Sequence, residues 1–182
     1  TDAFGIATSG DRLYNDATYN VVYVDSYDYG PEINERTRFS GGTAAWAENL
    51  NLMFTFRGIP CLLYGSEIEF RNDKILDIGP NAPLKETGRA YYGGYITGDV
   101  TATGFGSYSD ANGNVAATLS KPLARHIARL SQIRQQVPAL RKGQYSTEGC
   151  EGTIAFKRRY TNGDIDSYAL VAISGAATFT GV

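Results

Sequence analysis

The chain has 182 residues, enough for one ordinary domain with a sizeable core. Its formal net charge of -2 and isoelectric point near 5.4, with Lys and Arg scattered along the sequence, leave no basic surface and exclude a nucleic-acid backbone as its partner. No stretch approaches the roughly 18 apolar residues of a membrane helix, so no membrane span is expected; no basic segment followed by an apolar run opens the chain, which says nothing about a signal peptide if the chain begins inside a longer protein.

Thr1 to Tyr19 is polar and broken by Gly5, Gly10, Asp11, Asn15 and Asp16, which predicts a loop with at most one short helical turn. The next stretch, N-V-V-Y-V-D-S-Y-D-Y-G-P from Asn20 to Pro31, organises the rest. Asn20 to Tyr23 reads as a buried strand that ends abruptly in Asp25, Ser26, Tyr27 and Asp28 before Gly30-Pro31 turns the chain. Barrel and open α/β folds carry their chemistry at such strand ends, where loops vary while the strand holds them rigid. Asp25 and Asp28 are therefore the first candidates for chemistry. The plainer role for Asp25 is to tie the strand end to nearby backbone amides. Arg36 and Arg38 are candidates to pair with these acids and keep Asp28 ionised.

A helix is expected from Gly41–Ala44 to Arg57, with Ala45, Leu50, Met53, Phe54 and Phe56 on its apolar face and Gly58 as its C-cap. Pro60 forbids continuation, and the apolar run from Ile59 to Gly65 predicts a strand buried on both faces. Strand, helix, strand is a βαβ unit with parallel strands, placing Asp25 to Asp28 and Tyr64 to Glu67 at one end. Ser66 to Ser120 is rich in Gly, Asp, Asn and Thr and reads as a long functional loop. Leu119, Leu123, Ile127, Leu130, Ile133 and Val137 then predict an amphipathic helix, with Lys121, Arg125 and Arg134 pointing away and Pro138 at its end. The lone His126 reads as a surface or boundary residue. Past Gly143 the period becomes two: Thr153–Tyr160 and Ser167–Ile173 flank a turn containing Asn162-Gly163, predicting a hairpin that begins an all-β region. Thirteen Tyr, eight Phe and one Trp supply rings that fill cores or stack on sugars. Cys61 and Cys150 form neither a C-x-x-C pair nor a zinc knuckle, so they leave the compartment open.

Three phrases, Y-V-D-S-Y-D (Tyr23–Asp28), G-I-P-C-L-L-Y-G-S-E (Gly58–Glu67) and A-R-L-S-Q-I-R-Q-Q-V-P-A-L-R-K-G (Ala128–Gly143), stand in the order found in the α-amylase family. The chain resembles the C-terminal part of that family's catalytic (β/α)8 TIM barrel followed by the start of an all-β sandwich domain. The resemblance implies an α/β fold in which residues 1–142 hold strands 7 and 8 with helices 7 and 8. Residues 143–182 would begin the C-terminal β-sandwich. It implies a retaining α-glucan hydrolase acting on α-1,4-glucosidic bonds in starch or maltooligosaccharides, with a secreted or extracellular location. Asp28 matches the family's transition-state-stabilising carboxylate. Tyr27 stands where the family has a His that donates a hydrogen bond to the sugar, a departure that puts the matching role in question. Tyr64, Arg71 and Asp73, with Glu67 beside them, fall in the loop that holds sugars away from the cleavage point, although a merely hydrophilic loop is an equal reading. The family's nucleophile and acid/base lie on strands that this sequence does not contain, and a barrel takes roughly 250 residues, so the chain is expected to be a piece of a larger enzyme whose partners are the remainder of the barrel and an α-glucan. Calcium is common in the family, with ligands expected outside this chain. Two alternatives stay open: a non-catalytic sugar-binding or structural protein on the same scaffold, and a transglycosylase of the same family.

Overall fold

A computed structural model describes residues 13, 15–24, 41–68 and 97–181. These divide into two compact units, the first drawing its described residues from Thr1–Val22, Asn51–Pro60 and Arg134–Val182, the second from Tyr23–Leu50 and Cys61–Ile133. The fold mixes helices with small sheets of two or three strands, and no closed barrel is present among the described residues. No described helix is long and apolar enough to cross a membrane.

In the first unit, a 3-10 turn at Ala17–Tyr19 precedes β1 (Val21–Val22), and Leu13 ahead of it is also in 3-10 conformation. Asp16 caps the turn: its carboxylate accepts from the Thr18 backbone N–H at 2.9 Å and from the Thr18 hydroxyl at 2.6 Å. These bonds hold its carboxyl below the ordinary carboxylate range. The Asn51–Thr55 end of helix α1 (Thr43–Thr55) belongs to this unit, and β2 (Ile59–Pro60) pairs parallel with β1, Val21 opposite Ile59 and Val22 opposite Pro60. The expected βαβ order is thus present. Gly58, at φ 105°, permits the close approach: a Cβ there would meet the Asn20 carbonyl, which accepts from the Ile59 N–H at 2.7 Å. The helix stops at Thr55, three residues before Gly58, so this glycine shapes the turn into β2 and does not serve as the first residue past the helix.

The expected strand from Ile59 to Gly65 is corrected on two counts. Only Ile59 and Pro60 pair, and the run is not buried: Ile59 is 48 % exposed and Leu62 is exposed too. Burial of such a run needs strands on both sides and a layer on each face, and β2 has β1 alone as its neighbour among the described residues.

The C-terminal part of this unit is a three-stranded sheet in the order β5-β7-β8, where β5 is Gln144–Ser146, β7 Ile154–Asn162 and β8 Ile165–Ile173. A second, two-stranded sheet pairs β6 (Cys150–Glu151) with β9 (Thr178–Phe179). The expected hairpin is β7–β8, antiparallel from Ile154 opposite Ile173 to Asn162 opposite Ile165. Gly163 holds φ 56° at the first of its two turn positions, the place glycine takes in a type II′ turn. The core consists of Phe56, Leu140, Phe156, Val171 and Ile173, with Val22, Leu52, Val137 and Tyr145 packed against it. Phe56 meets Tyr145 and Phe156 edge-on, at centroid distances of 5.0 and 5.9 Å. This core draws on residues either side of the expected domain boundary at 142/143.

In the second unit, the connection read as a long loop carries regular structure in its described part. β3 (Val100–Gly104) and β4 (Ser107–Ala111) form an antiparallel hairpin with two register shifts, and α2 (Gly113–Leu119) follows. Short strands of Thr, Ser and Gly give little hydrophobic alternation, which hides the hairpin from a reading by period. Leu119 closes α2 and is not part of the next helix, because Ser120 and Lys121 interrupt the chain and Pro122 opens α3 (Pro122–Gln136) as its first residue. Leu123, Ala124 and Leu130 are the buried residues of α3, Lys121 and Arg125 are exposed as expected, and His126 is half-buried. Pro138, in the first unit, does more than end that helix: it begins α4 (Pro138–Lys142).

Candidate functional site

Asp25, Ser26, Tyr27, Asp28, Arg36, Arg38, Arg71 and Asp73 lie outside the described residues. Of the candidates, Tyr64 and Glu67 are described. Both belong to the turn that follows β2 in sequence. Tyr64 is 46 % exposed. The Glu67 carboxylate accepts the Gly65 N–H at 2.9 Å, and the Ser66 N–H donates to the Leu63 carbonyl at 3.1 Å. Glu67 therefore serves the local structure, anchoring the turn beside Tyr64. A half-exposed phenol on a pinned turn can stack its ring on an apolar sugar face and donate one hydrogen bond from its hydroxyl.

The residue that sequence reasoning misses here is Trp46. The apolar face expected for α1 includes Ala45, yet Trp46, Leu50, Met53 and Phe54 form the buried stripe at spacings of four, three and one. Within the second unit the buried Trp46 indole N–H donates to the Ser66 carbonyl at 3.0 Å. A tryptophan needs a partner for that N–H when buried, and here the partner is the backbone of the candidate loop. The signal in the sequence is the lone Trp at a helical spacing from Leu50.

In the first unit two arginines depart from expectation. Arg134 does not point away: Nη1 donates to the Phe54 carbonyl at 2.7 Å and Nη2 to the Gly58 carbonyl at 2.5 Å. It satisfies carbonyls left open where α1 ends. Burial first, and then the charge of Arg141, lower its pKa. Arg158, on the core-facing side of β7, is fully buried; Nη1 donates to the Thr55 carbonyl at 2.8 Å and Nη2 to the Gly143 carbonyl at 2.9 Å. Burial, with the charges of Arg134 and Arg57, pushes its pKa down to about 10, which leaves it cationic at neutral pH. Both residues lock backbone in place through these bonds.

Cys61 and Cys150 are free thiols. Among the described residues no three His, Cys, Asp or Glu side chains gather to hold a metal ion. No protein-family model matches this chain, and no curated protein matches it significantly in sequence.

Proposed function

We propose that this chain is part of a retaining α-glucan hydrolase of the α-amylase type, secreted or extracellular, cleaving α-1,4-glucosidic bonds in starch or maltooligosaccharides. The observation that carries the proposal is the parallel pairing of Val21–Val22 with Ile59–Pro60, with a helix between them in sequence. Two parallel strands release the chain at the same end, and here those exits lead into Y-V-D-S-Y-D and C-L-L-Y-G-S-E. Exposed Val21 and Ile59 on β1 and β2 also support a pair that further barrel strands cover in the complete protein.

In this reading Asp28 is a fixed anion beside the sugar ring. Cleavage passes through an oxocarbenium-like state, and the carboxylate stabilises that state more than the bound substrate. Tyr27 donates a hydrogen bond to the sugar at the cleavage point, and Tyr64, Arg71 and Asp73 hold glucan units further along. The nucleophile and acid/base come from the remainder of the barrel.

The test is the complete protein on soluble starch, cyclodextrins and pullulan with product analysis. Asp28→Asn should lower kcat by at least about a thousandfold with glucan binding largely intact, the factor expected from losing a transition-state contact worth roughly 4 kcal/mol. A variant keeping more than about a tenth of the rate would remove the assignment. The Tyr27 departure favours a second reading, a sugar-binding protein without catalysis; binding of maltooligosaccharides with no turnover would establish it. A transglycosylase would instead build longer products when an acceptor sugar is added.

A further inference from the structure

We propose that the groove between the β3–β4 hairpin and α3 binds a small amphipathic anion: a molecule with an apolar body and one phosphate or carboxylate group. The groove lies within the second unit and measures about 570 Å³, the size of an ordinary small-ligand site. It is a built gap. At the hairpin turn Gly106 sits at φ 70°, where any Cβ would strike the Ala128 carbonyl of α3, and Gln132 Nε2 donates to the Gly106 carbonyl at 3.0 Å and the Ser107 hydroxyl at 3.1 Å. At the other end the Asp99 N–H donates to Asn112 Oδ1 at 3.0 Å, and the Asn112 N–H donates to the Asp99 carbonyl at the same distance. Between these anchors Ala102 and Gly104 are too small to fill the space over the helix.

Among the described residues the lining has one sign of charge. Arg125 and Arg129 stand one turn apart on α3, so their side chains are neighbours and repel. Both are exposed, and among the described residues no carboxylate lines the groove. Among the described residues neither guanidinium has a hydrogen-bond or ion-pair partner. Leu119, Ala124 and Ala128 give an apolar floor beside them, and the half-exposed Tyr108 ring adds a flat wall. Two guanidinium forks over an apolar floor match an anionic head group taken bidentately, with its apolar body lying on the alanines. A neutral glucan offers these arginines no charge, so this site is independent of starch cleavage.

The test is calorimetric titration of the complete protein with 1-naphthyl phosphate and 1-naphthoate, with the neutral 1-naphthalenemethanol and inorganic phosphate as controls. Both naphthyl anions should bind in the submillimolar range, each at least about tenfold tighter than either control. Whichever binds tighter names the head group. Changing Arg125→Gln together with Arg129→Gln, on the exposed helix face, should weaken the anions at least about tenfold and leave 1-naphthalenemethanol unchanged. Ala102→Trp, which fills the groove, should weaken both anions equally or more. Unchanged anion binding in the double arginine variant would overturn the proposal. So would inorganic phosphate binding as tightly as 1-naphthyl phosphate, or no binding of either naphthyl anion at millimolar concentration.

Discussion

Arg158 illustrates how a cation is kept in a core without a carboxylate. Its described partners are carbonyl oxygens, those of Thr55 and of the buried Gly143. Arg158→Ala removes the bonds to both carbonyls and empties the buried volume of the side chain. An unsatisfied buried acceptor costs about 1 to 3 kcal/mol, so a loss of roughly 3 kcal/mol or more is expected in urea unfolding of the complete protein. Arg158→Met, which refills the volume but not the bonds, should lose less; equal losses would show that the carbonyl bonds carry the whole effect. Tyr27 raises a different question at the same scale. If its hydroxyl donates to the sugar, Tyr27→Phe should reduce kcat/KM by about 1 to 3 kcal/mol, or roughly five- to 150-fold, with little change in stability. If the ring only packs, the Phe variant should stay within about twofold in kcat/KM, while Tyr27→Ala hurts stability more than rate.

Among the elements, the β7–β8 hairpin carries its own pH dependence. Arg159 Nε and Nη2 donate to the two Asp166 oxygens at 3.0 and 2.8 Å across the ladder. These hydrogen bonds, with the Arg159 charge, hold the Asp166 carboxyl below its usual range and raise the Arg159 pKa. A carboxyl whose folded pKa is depressed contributes stability that is fully present above the unfolded value, about 3.9, and is lost as pH falls through the lower folded value. Amide exchange in the hairpin should therefore be slower in the wild type than in Asp166→Asn near pH 6, and the two should converge as pH falls through the lowered folded value of Asp166. A difference that persists at the acid end would assign the effect to packing. The pair is fully exposed, so its contribution is small beside that of the core strands.

For the whole molecule, the exposed faces matter most. Val21 is 58 % exposed on β1, and Ile59 is exposed on β2. On the proposed reading the isolated 182-residue chain should hydrolyse no starch at any pH, because a retaining mechanism needs a nucleophile and an acid about 5 to 5.5 Å apart and that reading assigns both to strands outside this chain. It should also be poorly soluble, since unpaired strand edges and apolar faces invite association. A soluble monomer with cooperative unfolding would show that the chain stands alone, and starch hydrolysis by it would refute the division of catalytic groups.

The amino-acid sequence by itself determined the elements whose causes are local. The polar turn before β1, the helix before Gly58, the parallel order of β1 and β2 and the β7–β8 hairpin all follow from residue periods and from Gly and Pro, which act within a few positions. Asp28, Tyr27, Arg71 and Asp73 were legible as candidates through phrases that resemble a family, and Tyr64 gained a physical setting only from the turn that Trp46 and Glu67 hold. Spacing even contained part of the arginine answer: Arg134 follows Leu130 by four, and Arg158 follows Phe156 by two, each on a buried face. Tertiary structure alone decided what those faces meet. Arg134 reaches a carbonyl 80 residues away and Arg158 one 103 residues away, and the hairpin crossing α3 opens a groove that neither segment encodes. A backbone carbonyl carries no side-chain signature, so a partner of that kind becomes visible only when the chain has folded back upon itself.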